Sequence, residues 1–325
     1  MNFNSLFTEF NFKKVLVIGD AMIDAYTWGK INRNSPEASI PIVEVEKNEN
    51  RLGGAANVAL NIQSLGATPI LCSVIGNDNY GKIFLDLMKK ANLNIKGILT
   101  SQNKKTTIKN RIIANEKHQL RIDEEDTNPI TIEYQFLNLI EELIKNIDVV
   151  ILQDYNKGVL TSKIITNVIK IANSRNIPSL ADPKIKNFTT FKDCTIFKPN
   201  LAEINNGMKI NLNADKTEEV IEHTKKLRNL LNVRAVLLTL SEKGICINTK
   251  DEFSITPAFK REMIDVSGAG DTVISVAALC LSINLDFKTI SILSSLAGGL
   301  VCEHVGVVPI DKEKLIYEAK KHIIS

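Results

Sequence analysis

Residues 147–182 have the sequence IDVVILQDYNKGVLTSKIITNVIKIANSRNIPSLAD. The apolar run at 147–152 predicts a buried strand, the apolar spacing at 161–174 predicts a helix, and the short run at 178–182 predicts another strand. A strand, a helix and a strand in that order are typical of a βαβ unit, whose two strands are parallel. This stretch therefore predicts a parallel sheet with helices packed on it.

The same alternation extends in both directions along the chain. Further strands are expected at 14–19, 69–75, 194–197 and 235–240, a hairpin at 244–256, and helices at 53–65, 81–91, 131–145, 215–231, 269–283 and 288–303. Two more polar stretches, 31–50 and 105–125, alternate apolar and polar residues, which favours exposed strands. We therefore expect one α/β domain over 1–325, with a central, mostly parallel sheet covered by helices on both faces and a small β-sheet lid formed by 31–50 and 105–125.

Composition excludes several classes of protein. The chain has 325 residues, of which 44% are hydrophobic, and its 40 basic and 37 acidic residues give a net charge of +3. That balance is typical of a globular protein with a core, and such a small, dispersed positive charge predicts no nucleic-acid partner. No apolar run approaches the ~18 residues of a membrane span, so no membrane partner is expected. The cysteines lack zinc or disulfide spacing, which favours free thiols in the reducing cytoplasm: Cys72, Cys194, Cys246, Cys280 and Cys302.

The segment DVSGAGDTV, residues 265–273, carries the most chemical information. Gly268, Ala269 and Gly270 can turn their backbone N–H groups towards one point at the start of a helix, where the helix dipole favours an anion. Asp271 follows and could accept a proton from an attacking hydroxyl. A base beside an anion hole is what phosphoryl transfer needs, whereas the alternative is that Asp271 only caps the helix.

Four segments in this order resemble signatures of the ribokinase-like (PfkB-type) sugar kinases. Residues 53–57 (GGAAN) resemble the N-terminal double-glycine signature, and 265–273 resemble the C-terminal signature. Residues 200–203 (NLAE) resemble the N-x-x-E motif, and 238–244 (LTLSEKG) resemble the nucleotide-binding strand and turn. The resemblance covers nearly the whole chain and implies a ribokinase-like fold with a β-sheet lid.

The resemblance also implies roles for individual residues and the cofactors ATP and Mg²⁺. Asp271 would be the catalytic base, with Gly268, Ala269 and Gly270 forming the anion hole. The nucleotide phosphates would be bound by the second and third segments, at Asn200, Leu201, Ala202, Glu203, Thr239, Ser241 and Gly244. Glu203 would also hold magnesium, partly through water.

Further segments resemble a narrower group, the D-glycero-β-D-manno-heptose 7-phosphate kinases. They are 19–26 (GDAMIDAY), 33–38 (RNSPEA), 154–160 (DYNKGVL) and 181–184 (ADPK). The implied reaction is ATP-dependent phosphorylation of the sugar phosphate at O1. Such kinases are often joined to a nucleotidyltransferase, but the four histidines show no H-x-G-H signature, so we expect that second activity on another polypeptide.

The substrate-binding residues are expected in the first half of the chain, between positions 20 and 157. Short acids and an amide could accept hydrogen bonds from sugar hydroxyls, glycines permit close approach of the sugar, and basic side chains could bind the phosphate. In that order they are Asp20, Asp24 and Asn57; Gly53 and Gly54; and Lys109, Arg111 and Lys157. Lys109 and Arg111 alternate along a predicted strand and should share one face. Lys184 and Arg33 are equally plausible phosphate ligands, and the sequence does not rank the basic residues.

Three alternatives stay open at this point. The chain could phosphorylate another sugar, such as ribose, fructose or a different sugar phosphate. It could be a non-catalytic sugar- or nucleotide-binding regulator on a kinase scaffold, since fold alone does not determine function. An NAD-dependent enzyme is disfavoured, because no G-x-G-x-x-G follows the first strand.

Apolar residues at 40–45 on an exposed strand favour a homodimer formed through the lid.

Overall fold

The computed structural model describes residues 2–259 and 261–323. Its helices are α1 (Phe3–Glu9), α2 (Ala55–Ser64), α3 (Asn79–Lys90), α4 (Glu133–Leu143), α5 (Ser162–Ser174), α6 (Leu201–Met208), α7 (Thr217–Leu231), α8 (Ala269–Ser282), α9 (Phe287–Val301) and α10 (Lys312–His322). Its strands are β1 (Lys14–Gly19), β2 (Ala21–Asn34), β3 (Pro41–Gly54), β4 (Thr68–Gly76), β5 (Ile98–Ser101), β6 (Thr107–Ala114), β7 (Lys117–Glu124), β8 (Val149–Gln153), β9 (Ser179–Asp182), β10 (Ile196–Phe197), β11 (Ala235–Thr239), β12 (Ile245–Asn248) and β13 (Phe253–Thr256). No helix in this described part of the chain is both long and apolar enough to cross a membrane.

The larger sheet has nine strands in the order β13-β12-β11-β10-β9-β8-β1-β4-β5. Every neighbouring pair from β11 to β5 is parallel, while β12 and β13 run antiparallel at one edge. The expectation of a mostly parallel α/β sheet is therefore confirmed.

Strand β1 shows why the sheet is covered on both faces. Val15 and Val17 pack into a core with α1, α2, α3, α8, α9 and α10, whereas Leu16 and Ile18 pack into a second core with α4, α5, α6 and α7. Because both faces are buried, the strand is an almost continuous apolar run rather than an alternating one. Helices on both faces, as predicted, follow from that pattern.

A separate four-stranded sheet has the order β3-β2-β6-β7. Its strands occur where 31–50 and 105–125 predicted exposed strands, but β2 already begins at Ala21 and β3 continues to Gly54. The early part of β2 is buried, so its apolar and polar residues do not alternate in the way that marks an exposed strand. For that reason the sequence located only the outer part of this pair.

Several chain segments converge at one edge of the larger sheet. The parallel strands β1, β8, β9 and β10 all end there, and ligands of such sheets bind outside the carboxyl ends of the strands. Strand β3 passes through Gly54, which has a φ of +59°, directly into α2. Helix α2 packs against α8, so the beginnings of both helices lie at this edge.

Candidate active site

Asp271 lies in the first turn of α8, at the edge where the parallel strands end. The residue before the helix, Gly268, has a φ of +82°, a left-handed conformation that glycine adopts without strain. The first N–H groups of a helix lack intrahelical acceptors, and the helix dipole adds positive potential there. The small residues at 268–270 therefore lie at a helix start that suits an anion, beside a carboxylate that is only 4% exposed.

Three side chains donate hydrogen bonds to the carboxylate of Asp271. Asn57 Nδ2 donates to Oδ2 at 2.8 Å, whereas Gln153 Nε2 and the Tyr155 hydroxyl donate to Oδ1 at 3.1 and 2.5 Å. The start of α8 has no side-chain cap, so helix capping does not account for Asp271. Burial raises the pKa of Asp271 to about 6, although the hydrogen bonds from Asn57 and Tyr155 lower it. At neutral pH this group is a fixed carboxylate that can accept a proton.

A buried ion pair lies next to the helix start. Lys198 Nζ is 2.9 Å from Asp182 Oδ2, and both side chains are less than a tenth exposed. A β-carbon on Gly270 would lie 3.7 Å from that ammonium, so an anion bound at the start of α8 would contact or approach it. Gln153 Nε2 also donates to Asp182, at 3.2 Å, and so links the ion pair to Asp271.

Sequence reasoning missed Gln153, Tyr155, Asp182 and Lys198 as site residues. Gln153 and Asp182 end β8 and β9, while Lys198 directly follows β10. A usable signal existed, because polar residues at the carboxyl ends of adjacent parallel strands lie at the ligand-binding edge.

A cavity of about 490 Å³, which we call the α8 cavity, extends away from Asp271. It brings together most residues predicted to bind the nucleotide, Asn200, Glu203, Thr239, Ser241 and Gly244, with the three predicted to form the anion hole, Gly268, Ala269 and Gly270. Its lining also includes apolar or small residues: Ala258, Phe259, Met263, Val266, Gly298, Gly299 and Cys302. Leu201 and Ala202 do not line it, since Leu201 packs against the core and Ala202 is exposed on α6. A lining that combines polar and apolar residues suits a ligand with phosphates and a flat base.

Glu203 is held in a fixed position on α6. Its backbone N–H donates to Asn200 Oδ1 at 2.8 Å, its Oε2 accepts from the Asn200 N–H at 2.9 Å, and its Oε1 binds the Lys184 ammonium. This reciprocal pair is a capping box, which fixes the start of α6.

The donors in the α8 cavity fit a magnesium ion. Asp182 and Glu203 both line it and offer hard oxygen ligands. Within residues 2–259 and 261–323 no group of three or more His, Cys, Asp or Glu side chains forms a metal site. Mg²⁺ keeps several waters and is usually bound by one or two carboxylates together with substrate phosphates, so a dense protein site is not required.

A second group of charged side chains lies on and beside the four-stranded sheet and approaches Asp271 through Tyr155, whose ring centroid is 5.6 Å from the Lys109 ammonium. We call Asp24, Lys109, Arg111 and Lys157 the small-sheet cluster. The strand register pairs Asp24 with Lys109 across β2 and β6, as expected for residues that share a face. Arg111 forms an ion pair with Asp24 in which both side chains are largely buried.

The two glycines at the end of β3 are required by close approaches. A β-carbon on Gly53 would lie 2.1 Å from Asp24 Oδ2, and one on Gly54 would lie 2.4 Å from the Asp20 carbonyl oxygen. Glycine therefore lets β3 pass beside both acids.

Asp20 occupies a different environment from Asp24. Its carboxylate accepts the backbone N–H groups of Tyr155, Lys157 and Val159, each at 2.9 Å, and the side chain is buried. Asp20 therefore fastens the loop after β8 to the end of β1. Its contact with a sugar stays a prediction.

The structure distinguishes the basic residues that the sequence could not rank. Lys157 is paired with Glu125 at 2.6 Å, and Arg111 and Lys184 are paired with the carboxylates already described. Arg33 is exposed near the outer end of β2, where its Nε lies 3.8 Å from Glu44.

Lys109 differs from those four cations. Among the described residues, no carboxylate oxygen lies within 4 Å of its ammonium, although the side chain is half-buried. Burial and the charge of Lys157 lower the pKa of Lys109, while Asp24 raises it. A half-buried cation beside another cation favours an added anion at this position.

With this geometry established, the chain is identified as a member of the pfkB family of carbohydrate kinases, whose model matches residues 13–314. It is 38% identical over 296 residues to the bifunctional protein HldE of Helicobacter pylori (strain P12), covering 90% of this chain and 64% of that one. It is 39% identical over 304 residues to the bifunctional protein HldE of Campylobacter jejuni (strain RM1221), covering 93% and 64%. The chain thus spans slightly less than two thirds of the length of these relatives.

Solved structures share its fold. Arabidopsis thaliana ribokinase complexed with ribose and ATP superposes with a TM-score of 0.74 at 17% identity, over 95% of this chain and 98% of that one. Escherichia coli phosphofructokinase-2 in complex with fructose-6-phosphate superposes with a TM-score of 0.76 at 16% identity, over 95% and 99%. The fold is therefore ribokinase-like, as the sequence resemblance implied.

Proposed function

We propose that this carbohydrate kinase transfers the γ-phosphoryl group of ATP to O1 of D-glycero-β-D-manno-heptose 7-phosphate, giving the 1,7-bisphosphate used to make ADP-heptose for the lipopolysaccharide core. The observation that carries the kinase part is the buried, oriented carboxylate of Asp271 at the anion-binding start of α8, beside the α8 cavity. The heptose part is supported by the segments at 19–26, 33–38, 154–160 and 181–184 and by the relatives named above.

The chemistry follows from the position of these groups. Asp271 takes the proton from the acceptor hydroxyl as the hydroxyl oxygen attacks the γ-phosphorus. The bond between the γ-phosphorus and the oxygen that bridges it to the β-phosphate breaks, which releases ADP. The N–H groups at the start of α8 and the ammonium of Lys198 stabilise the negative charge on the group in transfer. When bound, Mg²⁺ neutralises phosphate charge, and Glu203 and Asp182 would hold it, in part through water.

The small-sheet cluster is proposed to bind the sugar phosphate. Lys109 supplies a cation that has no counter-ion in the described part of the chain, while Lys157 and Arg111 add positive charge nearby. Asp24, Asn57 and the backbone at Gly53 and Gly54 would contact hydroxyls, and the four-stranded sheet would act as a lid that excludes water.

The decisive experiment is a coupled ADP-release assay with ATP and Mg²⁺. It offers heptose 7-phosphate in parallel with ribose, fructose and fructose 6-phosphate. Preference for the heptose phosphate would support the proposal, whereas turnover with a neutral sugar alone would remove the phosphate-binding role of Lys109. Folded protein that binds ATP but turns over no sugar would favour the regulator alternative.

We also propose that two copies associate through the outer face of the four-stranded sheet. The register pairs Thr27 with Ile112 and Ile112 with Leu120, so these residues share the face opposite Asp24 and Lys109. On this sheet Val45, Leu120 and Ile122 are 54%, 61% and 49% exposed. An exposed apolar sheet face favours a partner surface.

Light scattering coupled to gel filtration tests this association. We expect a dimer for the wild type and a monomer for Leu120→Glu with Ile122→Glu. A wild-type monomer at micromolar concentration would contradict it.

All five cysteines in the structure are buried free thiols, which supports a reducing compartment such as the cytoplasm.

A further inference from the structure

Tyr155 contacts the carboxylate of Asp271 and a lysine from each of the two regions of the site. Its hydroxyl donates to Asp271 Oδ1 at 2.5 Å. The ammonium of Lys109, from the small-sheet cluster, is 5.6 Å from its ring centroid, and that of Lys184, from the α8 cavity, is 5.7 Å away. The phenol therefore lies where the two sides of the site meet.

The two oxygens of Asp271 are not equivalent. Oδ1 accepts from both Tyr155 and Gln153, whereas Oδ2 accepts only from Asn57 among the described residues. Each carboxylate oxygen can accept about two hydrogen bonds. Oδ1 is therefore filled, and Oδ2 has capacity for one further donor, such as an acceptor hydroxyl.

We propose that Tyr155 is a positioning residue for phosphoryl transfer. Its hydroxyl holds Oδ1 so that Oδ2 is directed at the acceptor hydroxyl, and it stabilises the carboxylate over the carboxylic acid. This inference rests on the proposed role of Asp271 as the base, and it concerns a different residue and a separate hydrogen bond.

The hydroxyl of Tyr155 can be removed without detaching the loop after β8 from Asp20. Asp20 fastens that loop through backbone N–H groups, including that of Tyr155 itself, so the fold there does not depend on the hydroxyl. Burial, and then the nearby charges of Asp271 and Asp182, raise the pKa of the Tyr155 hydroxyl well above its usual value. The hydroxyl accordingly stays protonated and remains a donor throughout the working pH range.

Every charged group around the carboxylate is retained when only the hydroxyl is removed. Asp182 raises the pKa of Asp271 and Lys198 lowers it, while Lys184 lies beyond the tyrosine ring. On the side of the four-stranded sheet, Asp24, Lys109 and Arg111 face the same region. Helix α2 contributes the uncharged Asn57. A change in Asp271 titration in Tyr155→Phe can therefore be assigned to the lost hydrogen bond.

The test compares Tyr155→Phe with the wild type in two measurements. One is the pH profile of kcat/KM, and the other is the carboxyl ¹³C titration of aspartate-labelled protein, with Asp271→Asn to assign the signal. We expect the acid limb and the Asp271 midpoint to rise by about one pH unit, since a hydrogen bond to the charged form lowers a carboxyl pKa. We also expect kcat at pH 8 to fall roughly 10-fold, with the KM for ATP changed less than about 2-fold.

Tyr134→Phe is the matched control, because that tyrosine is 73% exposed. It should leave both measurements unchanged. Tyr155→Leu is the second variant, and its midpoint should rise at least as far as in Tyr155→Phe.

The outcomes separate this inference from the proposed function. An active wild type whose acid limb and Asp271 midpoint do not move in either variant would overturn the role of Tyr155 and leave the kinase reaction standing. A wild type without turnover, whose Asp271 midpoint still rises in Tyr155→Phe, would refute the proposed reaction and support the hydrogen bond.

Discussion

The α8 cavity and the small-sheet cluster meet at Tyr155, whose ring centroid is 5.7 Å from the Lys184 ammonium and 5.6 Å from the Lys109 ammonium, and they are built in different ways. The cavity uses helix starts, strand ends and backbone N–H groups, as at Gly268 and in the capping box of Glu203. The cluster uses side-chain ion pairs on strands, such as Arg111 with Asp24. Backbone sites need short contiguous sequence, whereas ion-paired sites depend on partners that are distant in the chain. The helix-start motifs could therefore be located from contiguous sequence, whereas the pairing of the residues predicted at the small-sheet cluster could not.

The two sides also treat positive charge differently. In the α8 cavity, Lys198 and Lys184 are both paired with carboxylates. In the small-sheet cluster, Lys109 has no carboxylate within 4 Å in the described residues. A cavity whose cations are already neutralised suits a ligand that arrives with its own metal ion, whereas an unneutralised cation suits a bare anion. This comparison supports a metal-bound nucleotide on one side and a sugar phosphate on the other.

The largest predicted effect is at the residue shared by both sides. Asp271→Asn should lower kcat at least ~100-fold, the lower range for losing a general base, with the fold retained. Steady-state kinetics and circular dichroism measure the two quantities. Asp86→Asn is the control, because Asp86 is an exposed surface carboxylate. Near-normal kcat in Asp271→Asn would show that the carboxylate is not the base and that the two sides do not share a reaction centre.

The next effect tests the α8 cavity alone. Lys198→Met leaves Asp182 buried without its partner, which costs about 3–5 kcal/mol of unfolding free energy. It should also lower kcat at least ~10-fold, since the charge beside the helix start is lost. Denaturant unfolding and steady-state kinetics measure both.

A double variant separates stability from catalysis in that cavity. Lys198→Met with Asp182→Asn removes both buried charges, so much of the lost stability should return while kcat stays low. Lys216→Met, which breaks an exposed pair with Glu219, is the control and should change neither quantity. Full recovery of kcat in the double variant would show that Lys198 has only a structural role.

A smaller effect is expected in the small-sheet cluster. Lys109→Ala should raise the KM for a sugar phosphate about 10-fold and leave kcat nearly unchanged, because the interaction with the phosphate is the same in the ground and transition states. The KM for a neutral sugar should not change. The exposed neighbour Lys105 provides a matched control as Lys105→Ala. An equal increase in KM for both kinds of sugar would place Lys109 outside a phosphate site.

Much of the fold could be predicted from the sequence, and particular residues show why. Strands such as β1 and β8 are buried on both faces and stand out as apolar runs. The short elements β5 and α6 were not predicted, because four and eight residues carry little periodicity. The start of β2 was missed because that part of the strand is buried, and its residues do not alternate between apolar and polar as they do in an exposed strand.

The site divides in the same way. Asp271 and the glycines before it were predicted because their chemistry depends on adjacent residues. Gln153 and Tyr155 were missed because only the folded sheet brings them to Asp271. The pairing that neutralises Lys157 joins it to Glu125 through the tertiary structure. No local pattern could therefore have separated Lys157 from Lys109.

The last prediction concerns pH and depends on both sides at once. Burial raises the pKa of Asp271 to about 6, so the base is ionised at pH 8 and protonated at pH 5. Since only the carboxylate accepts a proton, kcat/KM should be level above about pH 7, reach half its maximum near pH 6, and fall about 10-fold for each further pH unit. Binding of the sugar phosphate to Lys109 does not oppose this direction, because protonation of the phosphate below about pH 6 also weakens that interaction. An acid limb near pH 4 in the pH profile would mean that Asp271 is more solvated than its surroundings indicate, and that the two sides do not exclude water from the base.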